Sequence, residues 1–209
     1  MFNICMQCEA YRSDKIIDLT GPYAICPLCG CKHEFLRLPL FVITGSSGSG
    51  KSRMSIELAK IITEVVVIEC DIFWREEFHE DSGNFWEFRE FCLRAAKNIS
   101  QGGRPVVLCG AASPPQYENC TEFRYFSDIH YLILYSDNDE LKRRLKKRPK
   151  YRRCYSDTFI NKQQLYNTYL HQLGSKSDNM TVLDTSDLSC KEMAIKAREW
   201  IHNILNTNQ

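Results

Sequence analysis

Short apolar runs alternate with segments of helical periodicity along most of the chain. The apolar runs, which predict buried strands, cover residues 40–43, 65–68, 104–110, 131–135 and 180–183. Between them, apolar residues recur every three or four positions, as in helices that bury one face. Strands that alternate with helices predict an α/β fold with a five-stranded parallel sheet.

Local signals indicate where helices begin and end. Asp137 with Glu140, and Ser189 with Glu192, are typical of helix N-termini, because these side chains satisfy free backbone N–H groups. Two adjacent glycines end a helix whose expected buried face consists of Phe85, Phe88, Cys92, Ala95 and Ile99. Residues 111–121, which include two consecutive prolines, are predicted to form a loop.

The first apolar run leads directly into the motif GxxxxGK[ST]. Its eight residues are Gly45, Ser46, Ser47, Gly48, Ser49, Gly50, Lys51 and Ser52. The glycines allow backbone N–H groups to curl around a phosphate chain, the lysine reaches the β- and γ-phosphates, and the last serine faces Mg²⁺. A helical pattern follows, so the phosphates would lie at a helix N-terminus, which favours negative charge. We predict a site for ATP and Mg²⁺.

Residues 1–36 contain two CxxC pairs that are seventeen residues apart. The four cysteines are Cys5, Cys8, Cys26 and Cys29. They would close a tetrahedral site in a zinc ribbon, where the metal replaces a core too small to fold alone, and four thiolates make the Zn²⁺ structural. Cys31 and His33 offer an alternative Cys₃His set, and iron would accept the same thiolates. Reduced cysteines without a metal are a further interpretation.

Composition narrows the class of protein. The chain has 209 residues, a formal net charge of +1 and eleven cysteines. This charge gives no global attraction to nucleic acid or membranes, and no apolar run reaches the roughly 18 residues of a membrane span. We expect a soluble cytoplasmic protein with two domains, at residues 1–36 and 37–209. The scattered cysteines fall in apolar patterns and are predicted to be buried in the core.

Acidic residues follow the second predicted strand. Glu69 and Asp71 lie at its end, and we expect this strand to be the neighbour of the first. Ligands of open α/β sheets bind at the carboxyl ends of the strands, so a carboxylate here would lie near the γ-phosphate. The third strand lacks the acidic residue that often assists Mg²⁺ binding, so Asp71 or Glu69 would serve. A role of Asp71 in a turn or helix cap is the alternative.

Aromatic residues are dense after Asp71. Those from Phe85 onward keep helical spacing and are expected in the core. Phe73, Trp74 and Phe78 precede that pattern and are placed either to line a substrate pocket or to fill the core.

A basic segment follows the fourth predicted strand. Its nine basic residues are Lys142, Arg143, Arg144, Lys146, Lys147, Arg148, Lys150, Arg152 and Arg153. Three interpretations compete: a solvated helix face, a patch that binds nucleic acid, and a lid at residues 142–155 that brings guanidinium groups to transferring phosphates. We favour the lid, in which Arg144 and Arg148 share a helix face.

This order of elements resembles the P-loop small-molecule kinases, which include nucleoside and nucleotide kinases, shikimate and gluconate kinases and chloramphenicol phosphotransferase. The resemblance covers residues 39–205, and residues 109–115, 129–132 and 144–149 look like segments of bacterial ATP-binding proteins called nucleoside kinases. It implies a three-layer sandwich in which Asp71 orients or deprotonates the acceptor hydroxyl. It also implies that lid arginines clamp the phosphates; the candidates are Arg144, Arg148, Arg152 and Arg153.

We therefore expect an ATP·Mg²⁺-dependent phosphotransferase that acts on a hydroxyl of a small, nucleoside-like molecule. The expected catalytic residues are Lys51, Asp71, Arg144, Arg148 and Arg152. The main alternative is a nucleic-acid-associated NTPase or polynucleotide kinase that uses the ribbon and the basic segment to bind nucleic acid. A third alternative is a nucleotide-binding switch with the ribbon as a docking module.

Overall fold

The computed structural model describes residues 3–79 and 85–207. Its first part is a three-stranded antiparallel sheet of β1 (Ile16–Asp18), β2 (Tyr23–Ile25) and β3 (Lys32–Glu34). Ala24 at the centre of this sheet is fully buried and packs with Phe35. The domain limits at residues 1 and 209 fall outside the described residues, and the division into two domains stays a prediction.

A five-stranded parallel sheet forms the centre of the remaining chain. Its strands are β4 (Leu40–Gly45), β5 (Val66–Glu69), β6 (Val106–Cys109), β7 (Ile129–Tyr135) and β8 (Met180–Asp184). Their spatial order is β5–β6–β4–β7–β8, and every pairing is parallel. The α/β class and the five parallel strands are confirmed. The expected pairing of the first two strands is wrong, because β6 lies between β4 and β5.

Helices cover both faces of this sheet. They are α1 (Lys51–Ile61), α2 (Trp86–Ser100), α3 (Pro114–Glu118), α4 (Asn138–Lys146), α5 (Asp157–Gly174) and α6 (Cys190–Thr207). Short 3₁₀ helices occur at Cys70–Phe73, Glu76–Phe78, Thr121–Tyr125 and Lys150–Arg152. No helix in the described ranges is both long and apolar enough to cross a membrane.

Alternate side chains of β4 enter two separate cores. Phe41 and Ile43 pack in the core that contains residues of α1 and α6, such as Met54 and Ala197. Leu40 and Val42 pack on the other face, in the core that contains residues of α2. A strand that is buried on both faces must be apolar at every position, which explains the uninterrupted apolar run in the sequence. The predicted three-layer arrangement follows from these two cores.

The predicted helix ends agree with the structure, but one predicted loop and one predicted core residue do not. The Asp137 carboxylate accepts hydrogen bonds from backbone N–H groups at the start of α4. The predicted loop at 111–121 is wrong in part, because α3 forms there; Ser113 N–H donates to Gln116 Oε1 at 2.9 Å, and a proline begins the helix. Ile99, expected in the core, is 37% exposed.

Buried polar contacts join the N-terminal sheet region to α2. The Lys97 ammonium donates to Glu122 Oε2 at 2.6 Å and to Asn3 Oδ1 at 3.0 Å, and both charged side chains are buried. Gln101, at the end of α2, exchanges hydrogen bonds with the backbone N–H and carbonyl of Leu36. The orientation of the N-terminal region on α2 therefore depends on specific hydrogen bonds as well as on apolar packing.

Candidate functional site

The phosphate loop turns sharply between β4 and α1. Gly48 and Gly50 have φ values of +98° and +104°, in the left-handed region that favours glycine. A Cβ atom at Gly48 would lie 2.8 Å from Leu141 Cδ1, and one at Gly50 would lie 2.9 Å from Met193 Cε. The positive φ values therefore favour glycine at both positions, and a Cβ atom there would also require a side-chain tip of α4 or α6 to move.

The second half of this loop presents unused hydrogen-bond donors. Within residues 3–79 and 85–207, the backbone N–H groups of Gly48, Gly50, Lys51 and Ser52 have no protein acceptor. Ser49 N–H donates to the Ser46 carbonyl at 3.2 Å. The free N–H groups lie at the N-terminus of an eleven-residue helix, where the helix dipole favours an anion. These donors fit a phosphate chain.

The Lys51 side chain lies on the loop itself. Its ammonium donates to the carbonyl of Gly45 at 2.6 Å and to that of Ser46 at 3.0 Å. Burial lowers the pKa of Lys51 to about 8, the charge of Asp71 opposes this change, and the charge of Arg148 adds to it. Asp71 and Arg148 thus both lie within electrostatic reach of Lys51.

Asp71 follows β5 at the carboxyl edge of the sheet. It is exposed and belongs to the 3₁₀ helix Cys70–Phe73, where its backbone carbonyl accepts a hydrogen bond from Trp74 N–H at 3.2 Å. Glu69 is the last residue of β5, and its charge also acts on the pKa of Lys51. Both carboxylates that the sequence singles out are therefore on the side of the phosphate loop.

The aromatic residues form one cluster, although the sequence suggested a pocket group and a core group. Trp74 makes edge contacts with Phe85 and Phe88 at centroid distances of 5.4 and 5.2 Å. Phe73 packs in the same way on Phe91 at 5.5 Å. Trp74 remains 41% exposed. The cluster therefore presents an aromatic surface to solvent close to Asp71 in the chain.

Arg144 makes its hydrogen bonds within the protein, to a carboxylate and to backbone carbonyls. The Glu140 carboxylate accepts hydrogen bonds from Arg143 and Arg144, and these contacts lower the pKa of Glu140 to about 2. The Arg144 guanidinium also donates to the carbonyls of Thr185 and Ser186 at 2.6 and 3.0 Å. In this structure Arg144 joins α4 to the loop after β8, and its expected role as a phosphate clamp stays a prediction.

The other arginines of the basic segment differ in their positions. Arg148 is half-buried, acts on the pKa of Lys51 and approaches the Cys154 sulfur at 3.8 Å. Arg152 and Arg153 are exposed at the short 3₁₀ helix that precedes α5. Among the described residues, Arg148 is therefore the expected clamp residue that lies close enough to the phosphate loop to act on Lys51.

The two CxxC segments adopt the same local structure. In the first, Cys5 N–H donates to the Ala10 carbonyl at 3.0 Å; in the second, Cys26 N–H donates to the Cys31 carbonyl at 2.9 Å. The residue after the second cysteine has a positive φ in both segments, +57° and +73°. Each segment is thus a tight turn that directs its two sulfur atoms to one side.

The geometry of the four sulfur atoms fits a tetrahedral metal ion. The Sγ atoms of Cys5 and Cys29 are 3.5 Å apart, those of Cys8 and Cys26 are 3.8 Å apart, and all four lie within 4.8 Å of one another. Zinc–sulfur bonds of about 2.3 Å in a tetrahedron require sulfur separations of about 3.8 Å. The pKa of Cys5 is lowered to about 5, chiefly because Cys8 N–H donates to its sulfur.

The alternative ligand set is also compact. The Cys5, Cys31 and His33 ligand atoms lie within 4.8 Å of one another, and His33 Nε2 is 3.3 Å from Cys5 Sγ. Both sets share Cys5.

The role of α5 in organising the site was not predicted from the sequence. Gln163 and Asn167 of α5 contact the first half of the phosphate loop. The Tyr166 hydroxyl donates to the carbonyl of Ala111, in the loop after β6. A signal was available, because polar residues occur on the same helix face as buried Ile160 and Leu170.

Comparison with known proteins shows similarity in structure alone. No protein-family model and no curated protein matches the chain. Among solved structures, a sugar kinase from Janibacter sp. has a TM-score of 0.60 at 19% identity, covering 79% of this chain and 95% of that one.

Two further kinases are similar in structure. A gluconokinase from Sinorhizobium meliloti has a TM-score of 0.59 at 16% identity, covering 83% of this chain and 98% of that one. The Mycobacterium tuberculosis APS kinase in complex with AMPPNP and APS has a TM-score of 0.54 at 16% identity, covering 79% and 98%. At these identities the comparison establishes the fold, which is that of the P-loop kinases.

Proposed function

We propose that this chain with a P-loop kinase fold is an ATP-dependent phosphotransferase that transfers a phosphoryl group to a hydroxyl of a small molecule. One observation carries the proposal: the free N–H groups of the phosphate loop and the Lys51 ammonium lie together at the start of α1. The charges of Asp71 and Arg148 both act on the pKa of this lysine. A phosphate-binding loop, a carboxylate and a guanidinium group are the components that phosphoryl transfer requires. The structural similarity to a sugar kinase and a gluconokinase supports the same reaction class.

The loop and Lys51 would bind the triphosphate. The four free backbone N–H groups donate to phosphate oxygens, and the Lys51 ammonium, now on the loop carbonyls, contributes a positive charge to the β- and γ-phosphates. Bound Mg²⁺ offsets charge on the same phosphates; the exposed Ser52 hydroxyl at the start of α1 would hold it, with Asp71 or Glu69 as the acidic partner.

Asp71 and Arg148 would act on the acceptor side and on the transferring group. Because Asp71 is exposed, an acceptor hydroxyl can reach its carboxylate, which orients the hydroxyl and accepts its proton. The Arg148 guanidinium offsets the charge that is shared among the oxygens of the transferring group. We propose that Arg152, which is exposed at the 3₁₀ helix before α5, joins it when this segment closes over the nucleotide.

We infer that the acceptor is nucleoside-like. The exposed part of Trp74, three residues after Asp71, offers a planar surface on which a base can stack. The neighbouring phenylalanines help to fix this surface, because Trp74 makes an edge contact with Phe88, and Phe88 in turn packs at a tilt on Phe78.

We also propose that Cys5, Cys8, Cys26 and Cys29 hold one structural Zn²⁺. The sulfur separations match a tetrahedral site, and four thiolates leave no position for a substrate. The ion would stabilise the three-stranded sheet, which has a small apolar cluster of its own.

A phosphate-transfer screen tests the function. The protein is incubated with γ-labelled ATP and Mg²⁺ against nucleosides, sugars, small alcohols and oligonucleotide ends, with Lys51→Ala as the negative control. Transfer to a small hydroxyl compound is expected, with nucleosides preferred. Transfer to oligonucleotide ends, with a steep salt dependence of oligonucleotide binding, would instead support the polynucleotide kinase. ATP binding without transfer to any acceptor would support a nucleotide-dependent switch.

A further inference from the structure

Two side chains on one face of α5 hold the first half of the phosphate loop. Gln163 and Asn167 are four residues apart, so they project from the same helix face. Gln163 Oε1 accepts a hydrogen bond from Ser47 N–H at 2.7 Å. Asn167 Oδ1 accepts one from the Ser46 hydroxyl at 3.3 Å. The loop is thus held through one backbone group and one side chain before its free N–H groups begin.

Asn167 is itself anchored on the opposite side. Its Nδ2 donates to the Ser136 carbonyl at 2.8 Å and to Asn138 Oδ1 at 3.2 Å, at the junction of β7 and α4. Asn167 is 1% exposed, and Ser46 is fully buried. A buried amide with both ends hydrogen-bonded has one favourable orientation, so α5, β7 and the loop are fixed relative to one another.

The two halves of the loop therefore differ in how their N–H groups are satisfied. The protein supplies the acceptor for Ser47 through Gln163, whereas the N–H groups of Gly48, Gly50, Lys51 and Ser52 have none within the described part of the chain. A loop that is already held in its binding shape loses less conformational freedom when the ligand arrives. Because Gln163 holds the first half of the loop, binding of an anion to the free N–H groups of the second half costs less conformational entropy.

We propose that Gln163 is a positioning residue for the nucleotide and that Asn167 is its buried anchor. Gln163 acts through the Ser47 N–H and keeps the loop open for the phosphate chain. Because α5 begins at Asp157, just after the basic segment, the same helix also links the position of that segment to the shape of the loop. The inference rests on the proposed function in one respect, that the ligand is a nucleoside triphosphate.

The test removes the acceptor oxygen and keeps the side-chain size. Gln163→Met is compared with Gln164→Met, a matched control in which the native amide donates to the Asn138 carbonyl at 2.8 Å and does not touch the loop. The exchange rate of the Ser47 amide proton is measured by NMR in the nucleotide-free protein, and the Kd for Mg·AMPPNP is measured by calorimetry. Gln163→Met is expected to speed this exchange and to weaken binding about fivefold relative to the control, as for one lost hydrogen bond.

A second variant separates positioning from general damage to the helix. Gln163→Glu keeps an acceptor oxygen, so the slow exchange of Ser47 should return. Its negative charge near the phosphates should weaken binding more at low salt than at high salt. A Kd of Gln163→Met within about twofold of the control would overturn the inference, even if Ser47 exchanges faster. Failure of the unmodified protein to bind Mg·AMPPNP would instead overturn the nucleotide site and both proposals with it.

Discussion

The ammonium of Lys51 donates a hydrogen bond to the backbone carbonyl of Gly45, 2.6 Å away. The residue that begins α1 thus binds the residue that ends β4, across the whole loop. This contact fixes the two ends of the loop relative to each other and keeps the lysine beside the site expected for phosphates. A triphosphate must compete for this ammonium, so Lys51 links loop shape to ligand binding.

Replacement of Lys51 should abolish phosphoryl transfer. Lys51→Ala removes the charge that the β- and γ-phosphates need, and we expect the rate to fall by about 10²–10³-fold or more. The variant should remain folded at the assay temperature, although the lost hydrogen bonds to two loop carbonyls should lower its thermal midpoint slightly. Lys60→Ala is the matched control, because Lys60 is an exposed lysine of the same helix that pairs with Glu57. Substantial activity in Lys51→Ala would contradict the assignment.

Nucleotide affinity should depend on pH through Lys51. Burial lowers the pKa of its ammonium to about 8 in the nucleotide-free protein. Bound phosphates favour the charged amine and raise this pKa, so binding above about pH 8 takes up a proton and affinity falls by up to about tenfold per pH unit. Below about pH 7 the amine is charged in both states, and affinity should be constant. Calorimetry in two buffers of different ionisation enthalpy measures the affinity and the number of protons taken up on binding.

Lys51→Arg provides the control for this pH effect. A guanidinium group stays charged throughout the range, so the variant should show no proton uptake at high pH. Proton release by the unmodified protein, or a flat affinity profile, would argue against control by Lys51.

Asp71 should matter for transfer more than for nucleotide binding. Asp71→Asn removes the carboxylate that accepts the proton, and we expect the transfer rate to fall by about 10²–10⁴-fold. Affinity for Mg·ATP should change much less. Glu69→Gln is the comparison, because Glu69 also acts on Lys51 and is the other candidate for Mg²⁺. Equal losses of transfer and affinity in Asp71→Asn would indicate a metal-binding or structural role.

Arg144 and Arg148 of the basic segment should behave differently when each is replaced by alanine. Arg144→Ala removes hydrogen bonds to two backbone carbonyls and should lower the free energy of unfolding by about 1–3 kcal/mol. Arg148→Ala should instead reduce the transfer rate with little change in stability. Lys147→Ala is the control, because Lys147 is an exposed basic residue of the same segment and is not a candidate clamp residue. A purely catalytic defect in Arg144→Ala would show that the segment rearranges when nucleotide binds.

The N-terminal segment should contain one Zn²⁺ per chain. Cys29→Ser replaces the exposed ligand and should abolish zinc binding and lower the thermal midpoint, because the metal stabilises the small sheet. Cys31→Ser is the matched control and should retain the metal. Elemental analysis measures the zinc content. Loss of zinc in Cys31→Ser with retention in Cys29→Ser would identify the set that includes His33.

Local features of this protein could be predicted from its sequence because their parts are neighbours in the chain. The phosphate loop requires eight consecutive residues, and each CxxC turn requires about six. The helix start at Asp137 depends on N–H groups two and three residues away. The α3 helix depends on an equally local signal at Ser113 and Gln116, which the two prolines obscured.

Long-range relationships could not be predicted in this way. The strand with Glu69 lies beyond β6 because strand order depends on how the crossover helices pack, and no residue in β5 specifies its neighbour. Arg144 and Arg148 are alike in the sequence, yet the position of the loop after β8 gives one of them backbone partners. Gln163 reaches Ser47 across more than a hundred residues.

The sequence by itself determined that a phosphate loop follows a buried strand, that four thiols can converge, and that helices and parallel strands alternate. These follow from backbone geometry and side-chain spacing over a few residues. Only the tertiary structure decided which charged groups surround Lys51 and which helix holds the loop open. Those choices depend on the packing of distant segments, where many polar residues are chemically equivalent and position alone distinguishes them.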